Sequence, residues 1–187
     1  MTHPTAPAHL PAGVTSTGDG VVIGAGPVTV DAYIDFMCPF CRQFELSSAG
    51  TLTSLVADGQ ISLVYHPMNF LDEASTTRYS SRAAASAGCA SDGGRFLEYA
   101  HALFVGQPPE GGAGLSDAEL IEIGRSAGLP GPAFEGCVPS GQYLDWPAYV
   151  TELATARGVS ATPTVLVNGS QVPPSGEAIA AAVARIA

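Results

Sequence analysis

A β-rich run that empties into a closely spaced cysteine pair constrains this chain most. Val28-Thr29-Val30-Asp31-Ala32-Tyr33-Ile34-Asp35-Phe36 alternates loosely, with Val28, Val30, Ala32, Ile34 and Phe36 on one face, as a good strand does. Cys38-Pro39-Phe40-Cys41 then opens a helical stretch to about Ala57, with Phe44, Leu52, Leu55 and Val56 on its apolar side and Asp58-Gly59 closing it. Ile61-Ser62-Leu63-Val64-Tyr65 reads as the next strand. The order is strand, C-x-x-C at a helix start, strand.

Two thiols in the first turn of a helix can close a small disulfide, and the free N–H groups and dipole there stabilise a thiolate on the first of them. Cys38 is therefore expected as the exposed nucleophile and Cys41 as its buried resolving partner. The competing reading of a C-x-x-C is half of a zinc site, but zinc takes four ligands, usually with a second short-spaced pair. Cys89 and Cys137 stand alone, and His66 and His101 fall on separate elements, so no metal is expected.

Around this centre, residues 1–16 read as a flexible leader, with His3 and His9 in it, and Asp19 to Gly24 as a short strand bounded by glycines. From Leu71 to about Tyr143 the pattern turns helical: Ser75 to Ala90 is Ala-rich, Gly94 to Val105 is amphipathic, and Ser116-Asp117-Ala118-Glu119 caps a helix ending at Gly128. Gly106 to Gly114, with two prolines and four glycines, is expected as a surface loop. Trp146 to Arg157 reads as a helix, Thr164 to Val167 and Gln171-Val172 as strands joined by an Asn168-Gly169 hairpin, and Ser175 to Ile186 as a closing helix.

Ala161-Thr162-Pro163-Thr164 lies just before a strand. A proline at a strand's first residue is tolerated because it need not donate a hydrogen bond there; the functional alternative is a cis proline whose preceding backbone pairs with an extended substrate. Cys89 ends one expected helix, and Cys137 follows Phe134-Glu135-Gly136 after another. Both lie where helix ends can meet, so they are expected to form a structural disulfide; two buried free thiols are the other possibility. Tyr33, Tyr65 and Phe70 are assigned to the core, Trp146 to the junction between core and helical segment, and His66 to a structural role.

Composition excludes further classes. The chain has 187 residues, enough for a core without staples, with 46% apolar and only 13% charged side chains, which argues against disorder and coiled coils. Seven basic residues, all Arg, face 17 acidic ones for a net charge of −10, so nucleic acid is not an expected partner. No window reads as a membrane-spanning run, and residues 1–14 do not read as an intact signal peptide, so the expectation is either a cytoplasmic protein or one whose export signal or anchor was removed before the first residue. One isolated cysteine pair beside a redox motif favours an oxidising compartment over the cytoplasm.

Together the Val28 to Glu45 segment with its Asp35-Phe36-Met37-Cys38-Pro39-Phe40-Cys41 centre, Ile61 to Asp72, and Gly158 to Gly169 resemble the thioredoxin superfamily. Within it, the chain looks closest to the DsbA-like thiol–disulfide oxidoreductases, of the exported or membrane-anchored bacterial type. The resemblance implies an α/β thioredoxin fold, residues 17–70 and 144–187, with an inserted α-helical domain, residues 71–143. It implies Cys38 and Cys41 as the redox pair, tuned by Pro39, Phe40 and Asp35, and Thr162 with a cis Pro163 as the substrate-binding segment. The implied activity is disulfide introduction into exported proteins in an extracytoplasmic location, without metal or organic cofactor. The implied partners are thiol- or disulfide-bearing substrate proteins and a recycling partner such as a membrane quinone reductase of the DsbB or VKOR type. A reductase or isomerase using the same pair, and a non-catalytic peptide-binding or chaperone module, are the alternatives. The chain departs from the family pattern twice: Ala32 stands where a buried acid is usual, and Phe40 replaces the His of the best-known oxidant.

Overall fold

The computed structural model describes residues 4–186, so His3 lies outside the described residues. Its sheet has five strands: β1 (Val21–Ile23), β2 (Val28–Ile34), β3 (Ile61–Pro67), β4 (Thr164–Val167) and β5 (Ser170–Val172), in the order β1-β3-β2-β4-β5. β2 and β3 are parallel, from Val28 opposite Ile61 to Ile34 opposite Pro67, while β1–β3, β2–β4 and β4–β5 are antiparallel. A parallel pair needs a crossover, and α1 (Pro39–Ala57) supplies it. The apolar alternation of β2 is realised: Val30 and Ala32 are fully buried and Ile34 nearly so. The β4–β5 turn places Asn168 at φ 46° and Gly169 at φ 79°, the left-handed pair that a tight hairpin of this hand requires.

Between β3 and α6 (Trp146–Ala156) come α2 (Tyr79–Asp92), α3 (Phe96–Val105), α4 (Asp117–Ser126) and α5 (Pro132–Ser140). The chain ends in α7 (Gly176–Ile186), packed on α1 and on β2, β4 and β5. α2 is the buried axis of the helical segment: small residues Ala83, Ala84, Ala87 and Ala90 let α3, α5 and α6 approach it. α2 begins at Tyr79 rather than Ser75 because Ser75 is spent on a turn, its hydroxyl accepting from the Tyr79 and Thr77 N–H groups at 3.0 and 3.2 Å. α4 carries the expected capping box between Ser116 and Glu119.

Two features differ from expectation. α5 was not anticipated, because Gly136 and Pro139 inside it disguise the helix; Phe134 anchors it edge-on against Tyr99. The leader, expected to be flexible to residue 16, is held down from about residue 11. Pro11 is buried, the Ala12 N–H donates to Asp92 Oδ1 at 2.9 Å, and the Ala12 carbonyl accepts from Ser91 at 2.6 Å. Val14 then bridges to Val21 at the sheet edge. Trp146 is fully buried and donates its indole N–H to the Gly18 carbonyl at 2.8 Å, joining α6 to the segment before β1. Tyr33 stacks on His66, whose Nε2 lies 2.9 Å from Asp31 Oδ1 and whose Nδ1 lies 2.7 Å from the Asp19 carbonyl, a structural setting.

Candidate active site

The strand β2 delivers the chain into a tight turn at Asp35–Cys38, closed by the Cys38 N–H donating to the Asp35 carbonyl at 3.0 Å. Cys38 is the N-cap of α1, Pro39 occupies a first-turn position where no N–H is needed, and Cys41 follows within the same turn. Both thiols are free. Cys38 is 5% exposed, less open than expected of a nucleophile, and Cys41 is wholly enclosed; the exposed residue of the motif is Phe40, at 70%.

The proton affinities of the two sulfurs are driven in opposite directions. Cys38 is lowered to about 6, first by the hydrogen bond from the Cys41 thiol and then, against the opposing effect of burial, by the Cys41 N–H, the Thr162 side chain and the Phe40 N–H. Cys41 is pushed far up, by burial first and by the neighbouring Cys38 second, so it stays protonated. This is the division that an attacking thiolate and a proton-holding partner require.

Asp35 is fully buried beneath the motif. Its Oδ1 accepts from the Met37 N–H at 2.9 Å and the Ser80 hydroxyl at 2.7 Å, and its Oδ2 from the Leu71 N–H at 3.0 Å. Burial raises it to about 6, with the Cys38 charge adding to the rise and the three donors opposing it. Its backbone N–H also approaches Cys41 Sγ at 3.4 Å. Ala32 contributes no carboxyl group, but the thiolate is not free of an acid's opposition, because Asp35 supplies it from a different position.

Across from Cys38, the Thr162–Pro163 peptide bond is cis, and the Thr162 carbonyl accepts from the Cys38 thiol at 3.4 Å. Thr162 thus works in both senses: its carbonyl favours the protonated sulfur and its side chain the thiolate. A shallow depression of about 430 Å³ adjoins the motif, lined by Phe40, Phe44, Thr162, Pro163 and Pro174 among others. The sequence reading missed two contributors from the helical segment. Ser80 is one. The other is Gln107, whose side-chain amide donates to the carbonyls of Phe36 at 2.9 Å and Cys38 at 3.0 Å. Gln107 sits at the start of a Pro/Gly-rich loop, and no local pattern marks it.

Away from this site, Cys89 in α2 and Cys137 in α5 form a disulfide, with Cα atoms 5.9 Å apart. Among the described residues no three His, Cys, Asp or Glu side chains gather as a metal site, and no helix is long and apolar enough to cross a membrane.

A family model described as Thioredoxin matches residues 16–185. The chain belongs to the thioredoxin family. Among solved members, this thioredoxin-family chain is similar to reduced DsbA from Mycobacterium tuberculosis, with 36% identity and a TM-score of 0.79 over 90% of this chain and 92% of that one. It is equally similar to the reduced disulfide bond oxidoreductase DsbG of the same organism, with 37% identity and a TM-score of 0.80 over 91% and 88%. These neighbours make it an oxidoreductase of the thiol–disulfide kind. A segment of the serine/threonine-protein kinase PknE of M. tuberculosis is also 36% identical over 135 residues, and the chain spans 24% of that relative's length.

Proposed function

We propose that the chain introduces disulfides into exported proteins outside the cytoplasm, with Cys38 and Cys41 as the redox pair. The observation that carries this reading is the split between the two sulfurs: Cys38, lowered to about 6, is a competent leaving thiolate at neutral pH, while Cys41 holds its proton.

In the oxidised enzyme a substrate thiolate attacks Cys38 Sγ, the Cys38–Cys41 bond breaks, and Cys41 leaves and takes up a proton. A second substrate thiolate then attacks the substrate sulfur of the mixed disulfide, and Cys38 departs as thiolate. Two electrons have passed from substrate to enzyme, and a partner of the membrane quinone-reductase type, DsbB-like or VKOR-like, is the proposed means of removing them. Thr162 and Pro163 offer backbone to an extended substrate beside Phe40 and Phe44.

Stabilising the Cys38 thiolate stabilises the reduced enzyme and makes it an oxidant of others. A value of about 6 lies below the roughly 7 of thioredoxin and above the roughly 3.5 of DsbA. On these two figures the potential falls between the roughly −270 mV of thioredoxin and the roughly −120 mV of DsbA, above the first. An equilibrium titration of Cys38–Cys41 against glutathione tests the direction: a potential near −270 mV would make the chain a reductase. The isomerase alternative gains support from Phe40, which gives the thiolate no side-chain donor, and from Asp35, which opposes it.

A further inference from the structure

We propose that Gln107 is a positioning residue for the nucleophilic thiol, fixing from the helical segment the backbone on which Cys38 is presented. The inference rests on Cys38 being the nucleophile of the proposed function.

Both donors of the Gln107 carboxamide go to one short stretch of chain, the Phe36 carbonyl at 2.9 Å and the Cys38 carbonyl at 3.0 Å. The second carbonyl belongs to the Cys38–Pro39 peptide, whose nitrogen has no proton, so its oxygen is the handle by which that peptide plane can be held. It also accepts the first helical bond of α1, from the Arg42 N–H at 3.1 Å. Gln107 therefore restrains the rotation about Cys38 at ψ 119°, the extended N-cap conformation in which the side chain makes no cap hydrogen bond and the thiol donates across to the Thr162 carbonyl at 3.4 Å. Once that thiol ionises it can no longer donate to Thr162, and the N–H groups of Phe40 and Cys41 at the start of α1 are among the donors that favour the thiolate. Freed from Gln107, the Cys38 carbonyl would lose a neutralising donor close to the sulfur, and the backbone that places Sγ between the start of α1 and Thr162 would loosen.

The docking of α3 on α1 does not depend on this contact. Arg42 Nε donates to the Phe104 carbonyl at 3.0 Å, a guanidinium on a helix C-terminus, and Phe36 packs its ring against Phe104 with centroids 5.1 Å apart. Replacing Gln107 should thus change how Cys38 is held more than whether the segment folds.

The test is the pH dependence of Cys38 alkylation by iodoacetamide in the reduced protein, with the modified cysteine identified by mass spectrometry, for wild type, Gln107→Met and Gln107→Glu. Methionine keeps the length and removes both donors; glutamate keeps the shape and sets acceptors against two carbonyls. The expected result for Gln107→Met is a midpoint raised by about half a unit to one unit, the scale of one neutral hydrogen bond, with the melting temperature little changed. Gln107→Glu should shift further in the same direction, because it adds negative charge, and it serves as the second variant if the methionine protein folds poorly. A midpoint within about 0.2 unit of wild type in a folded variant overturns the proposal. Alkylation needs no exchange activity: a shifted midpoint in a protein that fails to oxidise substrate would uphold Gln107 and defeat the functional reading, and the reverse pattern would do the opposite.

Discussion

Cys38 and Cys41 share one helical turn and stand as free thiols, whereas Cys89 and Cys137 lie 48 positions apart on two helices and are bonded. The difference that matters is which helix end each pair occupies. Cys38 and Cys41 sit at the N-terminus of α1, where unpaired N–H groups and the dipole favour a thiolate. Cys89 and Cys137 fall toward the C-terminal ends of α2 and α5, where the same dipole disfavours one. On the proposed function, sulfur at the first end exchanges and sulfur at the second stays bonded. Sequence spacing alone separates the pairs less well than this contrast of environments.

The largest expected effect tests that division directly. Cys38→Ser should reduce thiol–disulfide exchange to background, and Cys41→Ser should accumulate mixed disulfides with substrate, visible on non-reducing gels. The Cys89→Ala/Cys137→Ala double variant should retain exchange under conditions where it is folded. If removing the second pair also abolished exchange in folded protein, the two pairs would not have separate roles.

The second effect is on stability. Closing a loop of 48 residues should contribute about 4 kcal/mol in the chain-entropy picture, and breaking it should also free α5 from α2. Denaturant unfolding of the double variant should show a loss of that order, with the reduced Cys38–Cys41 pair unaltered. A loss below about 1 kcal/mol would mean that Phe134 and its neighbours alone hold α5.

How much of this was legible in the sequence follows from the range of each interaction. The strands, α1 and the hairpin announce themselves through local periodicity and turn residues, and the motif's place at a helix start follows from Pro39 directly after Cys38. α5 did not, because Gly136 and Pro139 contradict its local propensity and tertiary contacts override them. Asp35 could be named as a tuning residue, but its partners Ser80 and the Leu71 N–H lie 45 and 36 positions away, so its burial could not be read. Gln107 is the extreme case: 69 positions from Cys38, in a loop whose composition signals only surface.

A third prediction uses pH to set Asp35 against Cys38. Asp35 is raised by burial from 3.8 to about 6, so between about pH 4 and 6 the folded state keeps a proton that the unfolded chain has released, and stability falls as pH rises by about 2–3 kcal/mol. Cys38 is lowered from 9.0 to about 6, so between pH 6 and 9 the reduced folded state has already released a proton that the unfolded chain still holds, and stability rises with pH. Reduced protein should therefore pass through a minimum near pH 6, while oxidised protein, with no Cys38 thiol to titrate, should fall and not recover. Denaturation curves of both forms from pH 4 to 9 test this, and Asp35→Asn should flatten the acid limb. A recovery of equal size in the oxidised form would show that another group is responsible.

The smallest effect addresses how far the helix end alone accounts for the reactive pair. Phe40 is exposed and gives Cys38 only its backbone N–H. In Phe40→His an imidazole could add a charge-assisted donor to the thiolate, at the cost of placing a cation near a helix N-terminus. The first term, about 1.5–3 kcal/mol, exceeds the second, about 0.3–1 kcal/mol at an exposed site. The Cys38 value should therefore fall by about one unit. Since at pH 7 a group near 6 is already about nine-tenths ionised, the rate of alkylation should barely change. The reduced form, however, gains nearly the full free energy of that shift, so the potential should rise by about 30 mV in the glutathione equilibrium. A shift below about 10 mV would mean that the backbone donors of α1 already supply what the sulfur can use, leaving the contrast between the two cysteine pairs to helix position alone.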